Sequence, residues 1–90
     1  MENLELHVIF EGKVQGVGFR ATVRSIALEI NVLGTICNLQ DGTVELYAQA
    51  PKETLEQLLD SIAKQFPASS CSLLSYSKTT KSFFSFCITS

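Results

Sequence analysis

The chain has 90 residues, a length that suits one folded domain with a single core and a shallow site. Its composition, 46% hydrophobic and 18% charged, is typical of globular proteins and argues against disorder. The formal net charge is −2, whereas proteins that bind nucleic-acid backbones usually carry a clear basic excess. Nucleic acid is therefore not an expected partner, and any anion-binding site must be local.

The cysteines and the N-terminal residues bear on where the protein works. Cys37, Cys71 and Cys87 are odd in number and widely spaced, unlike a disulfide framework, and no CxxC pair occurs. A single histidine leaves little material for a metal site. Acidic Glu2 and Glu5, and the lack of an apolar run of about 20 residues, indicate neither a signal peptide nor a membrane span. We expect a cytoplasmic protein with reduced thiols, no metal and no membrane partner.

The first two predicted elements are a strand and a helix. Residues 5–11 alternate between apolar and polar side chains, as in a strand with one buried face. That face is expected to carry Leu6, Val8 and Phe10. Residues 21–33 have apolar side chains at helical spacing, and Gly34 follows where a helix often ends on a left-handed residue. Residues 12–18, which include three glycines, are predicted to form the loop between them.

A hairpin and a second helix follow. Residues 35–39 and 43–50 are predicted strands that flank Asp41-Gly42, a strong turn signal. The buried face of the second strand is expected to carry Val44, Leu46 and Ala48. Pro51 opens the second helix and Pro67 ends it. The apolar stripe of that helix consists of Leu55, Leu58, Leu59, Ile62, Ala63 and Phe66.

The last two predicted elements are strands, and they complete the fold prediction. Residues 71–77 are serine-rich and typical of a weak edge strand, and residues 83–89 form a final strand. One face of the final strand is expected to carry Phe84, Phe86 and Ile88. The order β-α-β-β-α-β-β, with one apolar stripe on each helix, predicts a ferredoxin-like two-layer α+β sandwich with both helices on one face of the sheet. We expect one domain over residues 1–90.

The informative segment is Gly12–Arg20, with the sequence GKVQGVGFR, between the first strand and the first helix. Glycines at such a position let backbone N–H groups point inward together, at the positive end of a helix dipole, and this favours an anion. Arg20 is a poor electrostatic choice for a helix start unless an anion binds there, and its guanidinium can hold a phosphate by two hydrogen bonds. The segment fits neither the Walker loop nor the dinucleotide fingerprint. The alternative interpretation is a tight connection without a ligand.

This segment resembles the first signature of the acylphosphatase family. Every fixed position of that signature is present, at Gly12, Val14, Gln15, Gly16, Val17, Phe19 and Arg20. Residues 34–38, which end in Asn38, and residues 42–44 match the frame of the family's second signature. The first signature is long and specific, whereas the second alone would be weak. Chain length and element order also agree, so the resemblance extends over the whole chain.

The resemblance implies a fold, an activity and residue roles. The family has a five-stranded antiparallel sheet with two helices on one face, and it hydrolyses acyl phosphates to a carboxylate and inorganic phosphate without metal or cofactor. By resemblance, Arg20 binds the phosphate and Asn38 orients the attacking water. The backbone cradle of the phosphate is then formed by Gln15, Gly16, Val17, Gly18 and Phe19. Such chemistry needs no strong base, because an acyl phosphate already carries a good leaving group.

The sequence also departs from the family pattern. Thr35 stands where the family usually has Trp or Tyr, Cys37 where a basic residue is common, and Gln49-Ala50 where Glu-Gly is usual. The Thr35 change is expected to loosen the core or widen the substrate mouth, and the Cys37 change to raise the Michaelis constant. Cys37 should point away from the face of Asn38, so we do not assign it as a nucleophile.

Four alternative interpretations concern single residues or the whole chain. For Asn38 the alternative is a buried amide satisfied by backbone, and for His7 it is a surface or packing residue rather than a general base. An RNA-binding module of this topology needs exposed aromatics on the central strands, and Tyr47 is the one candidate. A non-catalytic phosphate-binding or anion-binding regulatory domain of the same fold is the remaining alternative, although Arg20 and Asn38 favour catalysis. We expect a monomer acting on a small-molecule acyl phosphate.

Overall fold

The computed structural model describes residues 2–89, which form a five-stranded sheet with two helices packed on one of its faces. The element order is β-α-β-β-α-β-β, which confirms the predicted ferredoxin-like α+β sandwich. The strands lie side by side in the order β4-β1-β3-β2-β5. The elements are β1 (Asn3–Gly12), α1 (Phe19–Glu29), β2 (Leu33–Asn38), β3 (Val44–Pro51), α2 (Lys52–Gln65), β4 (Ser69–Lys78) and β5 (Phe86–Ile88).

One pair of strands departs from the predicted antiparallel sheet. β2 and β5 run parallel, with Gly34 opposite Phe86 and Ile36 opposite Ile88, whereas the other three pairs are antiparallel. β4 and β5 form opposite edges, so residues 79–85 cross the end of the sheet at which β4 finishes. β5 therefore starts from that end and runs opposite to β4, which is the direction of β2. The expectation of a wholly antiparallel sheet is wrong at this pair.

The core lies between the helices and one face of the sheet. The alternation predicted for β1 and β3 is confirmed, because none of the six inward side chains is more than 2% exposed. These side chains are Leu6, Val8, Phe10, Val44, Leu46 and Ala48. The helices contribute Phe19, Val23, Ala27, Leu55, Leu58 and Ile62 to the same cluster. Burying one large apolar side chain stabilises a fold by about 1.5–3 kcal/mol, so a one-residue slip of either strand would be costly.

The final strand is shorter than predicted. It covers Phe86–Ile88 rather than residues 83–89, and Phe84 is 98% exposed instead of facing the core. Residues 79–85 are occupied in crossing the sheet end, and pairing to β2 begins only where the Gly34 N–H donates to the Ser85 carbonyl at 3.0 Å. Ala63, predicted in the apolar stripe of α2, is also exposed.

The end of α1 also differs from the prediction. The helix ends at Glu29, and Asn31 takes the left-handed conformation with φ of 61°. The Val32 N–H then donates to the Ala27 carbonyl at 2.8 Å and closes the helix end. Gly34 lies instead within β2, where an added Cβ would overlap the backbone carbonyl of Tyr47. Glycine is required at position 34 because β2 and β3 approach closely there, and not because the helix ends there.

The strand directions give the sheet two distinct ends. β1, β2 and β5 finish at one end, with Gly12, Asn38 and Ile88, and the loop before α1 leaves from it. We call this the loop end. At the opposite end, residues 80–81 pass beside the buried carboxylate of Glu5, and we call it the Glu5 end. Neither helix in residues 2–89 is long and apolar enough to cross a membrane.

Candidate active site

The loop between β1 and α1 presents a run of free backbone donors. Val14 is buried and its N–H donates to the Gly12 carbonyl at 3.0 Å, which anchors the start of the loop. The N–H groups of residues 15–21 donate to no acceptor within residues 2–89, and the next one, of Thr22, donates to the Gly18 carbonyl at 3.0 Å. Free N–H groups at a helix N-terminus are an arrangement that binds anions.

Two glycines give the loop its curl. Gly16 and Gly18 have φ of 74° and 76°, and an added Cβ at either would meet nothing within 4 Å. The requirement for glycine is therefore the left-handed backbone and not the space. Gly18 caps α1 without a side-chain hydrogen bond, and the first turn of the helix holds no acidic residue. The positive end of the α1 dipole is consequently not neutralised by this helix's own side chains.

Arg20 lies beside these donors. It is the second residue of α1, half-buried, and forms no ion pair or hydrogen bond with any residue from 2 to 89. A cavity of about 180 Å³ is lined by Val14, Gly16, Gly18, Phe19, Arg20, Ala21 and Ile88. Four of the predicted site residues thus meet in one cavity. Gln15 and Val17 do not line it, and neither does Asn38.

Asn38 is the last residue of β2 and shares the helix-facing side of the strand with buried Ile36. Its Oδ1 atom is buried and accepts no hydrogen bond from the described residues. An unsatisfied buried acceptor costs about 1–3 kcal/mol and is uncommon in folded proteins. The alternative interpretation, in which backbone groups satisfy this amide oxygen, is therefore not supported by the fold.

The side chain of Gln15 links the loop to the β2–β3 hairpin. Its Nε2 donates to the Leu39 carbonyl at 3.0 Å and to the Thr43 carbonyl at 2.8 Å. Because Leu39 directly follows Asn38, these bonds hold the loop against the end of β2. The resemblance implies only a backbone role for Gln15, so this side-chain contact is not predicted from the sequence. The signal in the sequence is the Gln15 amide itself. Its NH₂ group has two donors, and both need acceptors when the side chain is half-buried.

Comparison with known proteins agrees with this geometry. The family model described as Acylphosphatase matches residues 6–88. The chain belongs to the acylphosphatase family. The acylphosphatase of Treponema denticola is 45% identical over 62 residues, which are 69% of this chain and 66% of that relative. The chain thus spans slightly less than two thirds of that relative's length.

Two further acylphosphatases cover more of the chain. The one from Thermotoga petrophila is 38% identical over 80 residues, 89% of this chain and 87% of the relative. The crystal structure of acylphosphatase from Bacillus subtilis matches with a TM-score of 0.84 and 30% sequence identity, covering 97% of this chain and 99% of that chain. The acylphosphatase fold is therefore present over nearly all of the chain.

Other titratable residues of this chain lie on the sheet face away from the helices. His7 Nε2 contacts Glu45 Oε2 at 2.8 Å, and the imidazole stacks on the Tyr47 ring at 4.3 Å. Cys37 pairs with Glu45 across the strands, one position from Asn38 and so on the opposite face. These contacts support the interpretation of His7 as a packing residue. Within residues 2–89 no cluster of three His, Cys, Asp or Glu is placed to hold a metal ion.

The departures from the acylphosphatase pattern also lie away from the cavity. Thr35 pairs with Tyr47 on the same outer face, so it neither belongs to the core nor lines the cavity. Gln49 is buried and its Nε2 donates to Glu5 Oε1 at 2.9 Å and to the Lys81 carbonyl at 2.7 Å. An ionised glutamate at that position would offer no donor, so the glutamine has a structural role at the Glu5 end.

Proposed function

We propose that this protein hydrolyses acyl phosphates to a carboxylate and inorganic phosphate. Arg20 and the backbone N–H groups of residues 15–19 hold the phosphate, and Asn38 orients the water that attacks it. The observation that carries the proposal is the run of free N–H groups beside an arginine without a counter-charge, in a loop whose Gly16, Gly18 and Arg20 line one cavity. Family membership supports the same activity.

The phosphate fits the loop on electrostatic grounds. A phosphate group brings about two negative charges to a site formed by free N–H groups, the positive end of α1 and one guanidinium. Arg20 can form two parallel hydrogen bonds to phosphate oxygens, and such charge-assisted bonds are stronger than neutral ones. Donors held in place before the reaction stabilise the charge that spreads over the phosphoryl oxygens in the transition state.

The water is assigned to Asn38. The oxygen of a bound water attacks phosphorus in line with the bond to the acyl oxygen, that bond breaks, and the carboxylate leaves with its electron pair. The proton of the attacking water passes to phosphate oxygen or solvent. Because the carboxylate is a good leaving group, positioning replaces general-base catalysis. The unpartnered Oδ1 atom supplies an acceptor for a water hydrogen.

Catalysis is favoured over a non-catalytic anion-binding role by the same atom. An anion site requires donors, and a buried acceptor near it adds only repulsion and desolvation cost. A water, by contrast, donates hydrogen bonds. The unpartnered Asn38 Oδ1 therefore supports hydrolysis over phosphate sensing.

We further propose that residues 1–90 act as one monomeric domain in the cytoplasm, without nucleic acid. The net charge of −2, one hydrophobic core and three free cysteines support this proposal. Analytical ultracentrifugation across a concentration series would return a single 9.9 kDa species. A concentration-dependent rise in mass would show instead that the protein self-associates.

The proposed reaction is tested with benzoyl phosphate as substrate in water enriched in oxygen-18, with a chelator present. We expect turnover well above the buffer rate and the label in inorganic phosphate, because water attacks phosphorus. Label in benzoate would mean attack at the carbonyl carbon and would exclude the proposed geometry. A folded protein with no turnover, but with inorganic phosphate bound at the loop, would support the regulatory alternative.

A further inference from the structure

We infer that Ile88 forms the wall on which the acyl group of the substrate packs, and that the substrates are acyl phosphates with a small, apolar, uncharged acyl group. The inference rests on the proposed function, since it takes the phosphate position from Arg20 and the loop. Ile88 would recognise the acyl half of the substrate, and it lies in neither signature motif.

Ile88 reaches the site from the opposite end of the sequence. It is the last residue of β5 and pairs with Ile36, and the adjacent Thr89 N–H donates to the Ile36 carbonyl at 2.9 Å. These contacts fix its backbone at the loop end of the sheet. The residue is 39% exposed, although isoleucine is normally buried, and it lines the same cavity as Arg20. The exposed part of Ile88 is thus available to a bound molecule.

The cavity has a polar side and an apolar side, as an acyl phosphate has. Gly16, Gly18 and Arg20 supply donors and charge on one side. Val14 and Phe19 are only 1% exposed, so Ile88 and the smaller Ala21 provide the apolar surface that a ligand can touch. With the phosphate on the donors, the acyl group is left against Ile88. The volume of about 180 Å³ matches a short chain or one ring.

Charge then disfavours acyl groups with a second anion. Among the described residues that line the cavity, Arg20 alone is charged, and the phosphate uses it. A distal carboxylate or phosphate would be desolvated beside Ile88 without a partner. Lys13 lies outside, in a neighbouring groove of about 320 Å³ that it lines with Val17, Gln65, Phe66, Pro67 and Ala68. A substrate with a second anion would need that groove instead.

The test compares kcat/KM for benzoyl phosphate, acetyl phosphate and succinyl phosphate in wild type and Ile88→Ser. We expect the variant to lose about tenfold on benzoyl phosphate and less than about threefold on acetyl phosphate, because only the larger group relies on the wall. Ile88→Val should retain most of the preference. Leu73→Ser is the matched control, because Leu73 is 43% exposed at the opposite edge of the sheet and should leave all three values unchanged.

The outcomes separate this inference from the proposed function. Wild type should use succinyl phosphate least well. A wild type that hydrolyses none of the three substrates would overturn the proposed function and the inference together. Turnover with an unchanged benzoyl-to-acetyl ratio in folded Ile88→Ser would overturn the inference alone. A preference for succinyl phosphate that Lys13→Ala removes would also overturn it, and would place the acyl group in the neighbouring groove.

Discussion

The two ends of the sheet differ in whether their buried polar groups have hydrogen-bond partners. At the Glu5 end, the carboxylate accepts hydrogen bonds from Gln49 Nε2 at 2.9 Å, Thr80 Oγ1 at 3.2 Å, and the N–H groups of Thr80 and Lys81 at 3.3 Å. At the loop end, Asn38 Oδ1 is buried without a partner and Arg20 has no counter-charge among residues 2–89. Both ends belong to the same strands, so the difference arises from the segments that cover them.

This difference separates stability from function. A carboxylate with four donors is fully satisfied, and its contacts fasten residues 80–81 to the sheet. Donors and acceptors left unpaired at the loop end reduce stability, and such groups persist where a ligand satisfies them. Variants at the loop end should therefore change activity more than stability, and variants at the Glu5 end should do the reverse.

The largest expected effect follows from removing the charge of Arg20. Arg20→Gln should lower kcat/KM for benzoyl phosphate by about a thousandfold, because the transition-state charge loses its guanidinium. Its thermal midpoint should stay level or rise, since a cation at a helix N-terminus is unfavourable. Steady-state kinetics and thermal unfolding measure the two quantities. Arg24→Gln, an exposed change on the same helix, is the control. Wild-type kcat/KM in folded Arg20→Gln would remove Arg20 from the site.

Asn38→Ala comes next. It should lower kcat by about a hundredfold, the scale of losing one positioned amide, with little change in inhibition by inorganic phosphate. Stability should not fall, because the substitution deletes an unsatisfied oxygen. The exposed Asn3→Ala serves as the control. Marked destabilisation with kcat retained would mean that Asn38 is a structural residue.

Gln15→Ala tests how the loop end is held together, because Gln15 joins the loop before α1 to the β2–β3 hairpin. Its loss frees the Leu39 and Thr43 carbonyls, so the free energy of unfolding should fall by about 1–2 kcal/mol. KM should rise by about tenfold with a smaller change in kcat, since the loop N–H groups remain but are less well held. Gln40→Ala, exposed beside the same turn, should do neither. An unchanged KM in Gln15→Ala would show that the loop keeps its shape unaided.

The sequence predicts this molecule well where local pattern decides and poorly where distant contacts decide. The alternation of apolar and polar side chains on β1 and β3 predicts the core correctly, because each side chain in a strand is buried or exposed according to its own face of the sheet. Gly34 suggested the end of α1, but Asn31 adopts the left-handed turn and Gly34 is needed beside Tyr47. The direction of β5 depends on which end of the sheet residues 79–85 cross, and no local pattern encodes that.

The site divides in the same way. The signature motif located the loop and Arg20, since glycines and a helix start are local features. The bonds of Gln15 span 24 and 28 residues, and Ile88 lies 68 positions after Arg20, so only the folded chain brings them to the loop end. The roles of Arg20 and Asn38 stay predictions until the variants are measured.

The smallest expected effect on activity is at the other end of the sheet. Burial alone would raise the pKa of Glu5, but the hydrogen bonds from Gln49, Thr80 and Lys81 outweigh it and lower the pKa below its ordinary value of 4.5. A lowered folded-state pKa gives stability that is complete above the ordinary value and is lost as pH falls through the folded-state value.

Glu5→Gln should therefore lower the free energy of unfolding by about 1–2 kcal/mol at pH 7 while leaving kcat/KM unchanged. The difference between wild type and variant should begin to shrink as pH falls below about 4.5, where the carboxylate of the unfolded chain takes up a proton, and should be lost as pH falls through the lower folded-state pKa. Urea unfolding at pH 7 and pH 3 measures it, with exposed Glu2→Gln as the control. A difference that does not shrink between pH 7 and pH 3 would mean that the shape of the side chain, and not its charge, fastens residues 80–81. A loss of activity in Glu5→Gln would show that the two ends of the sheet are coupled, which their separate hydrogen-bond networks argue against.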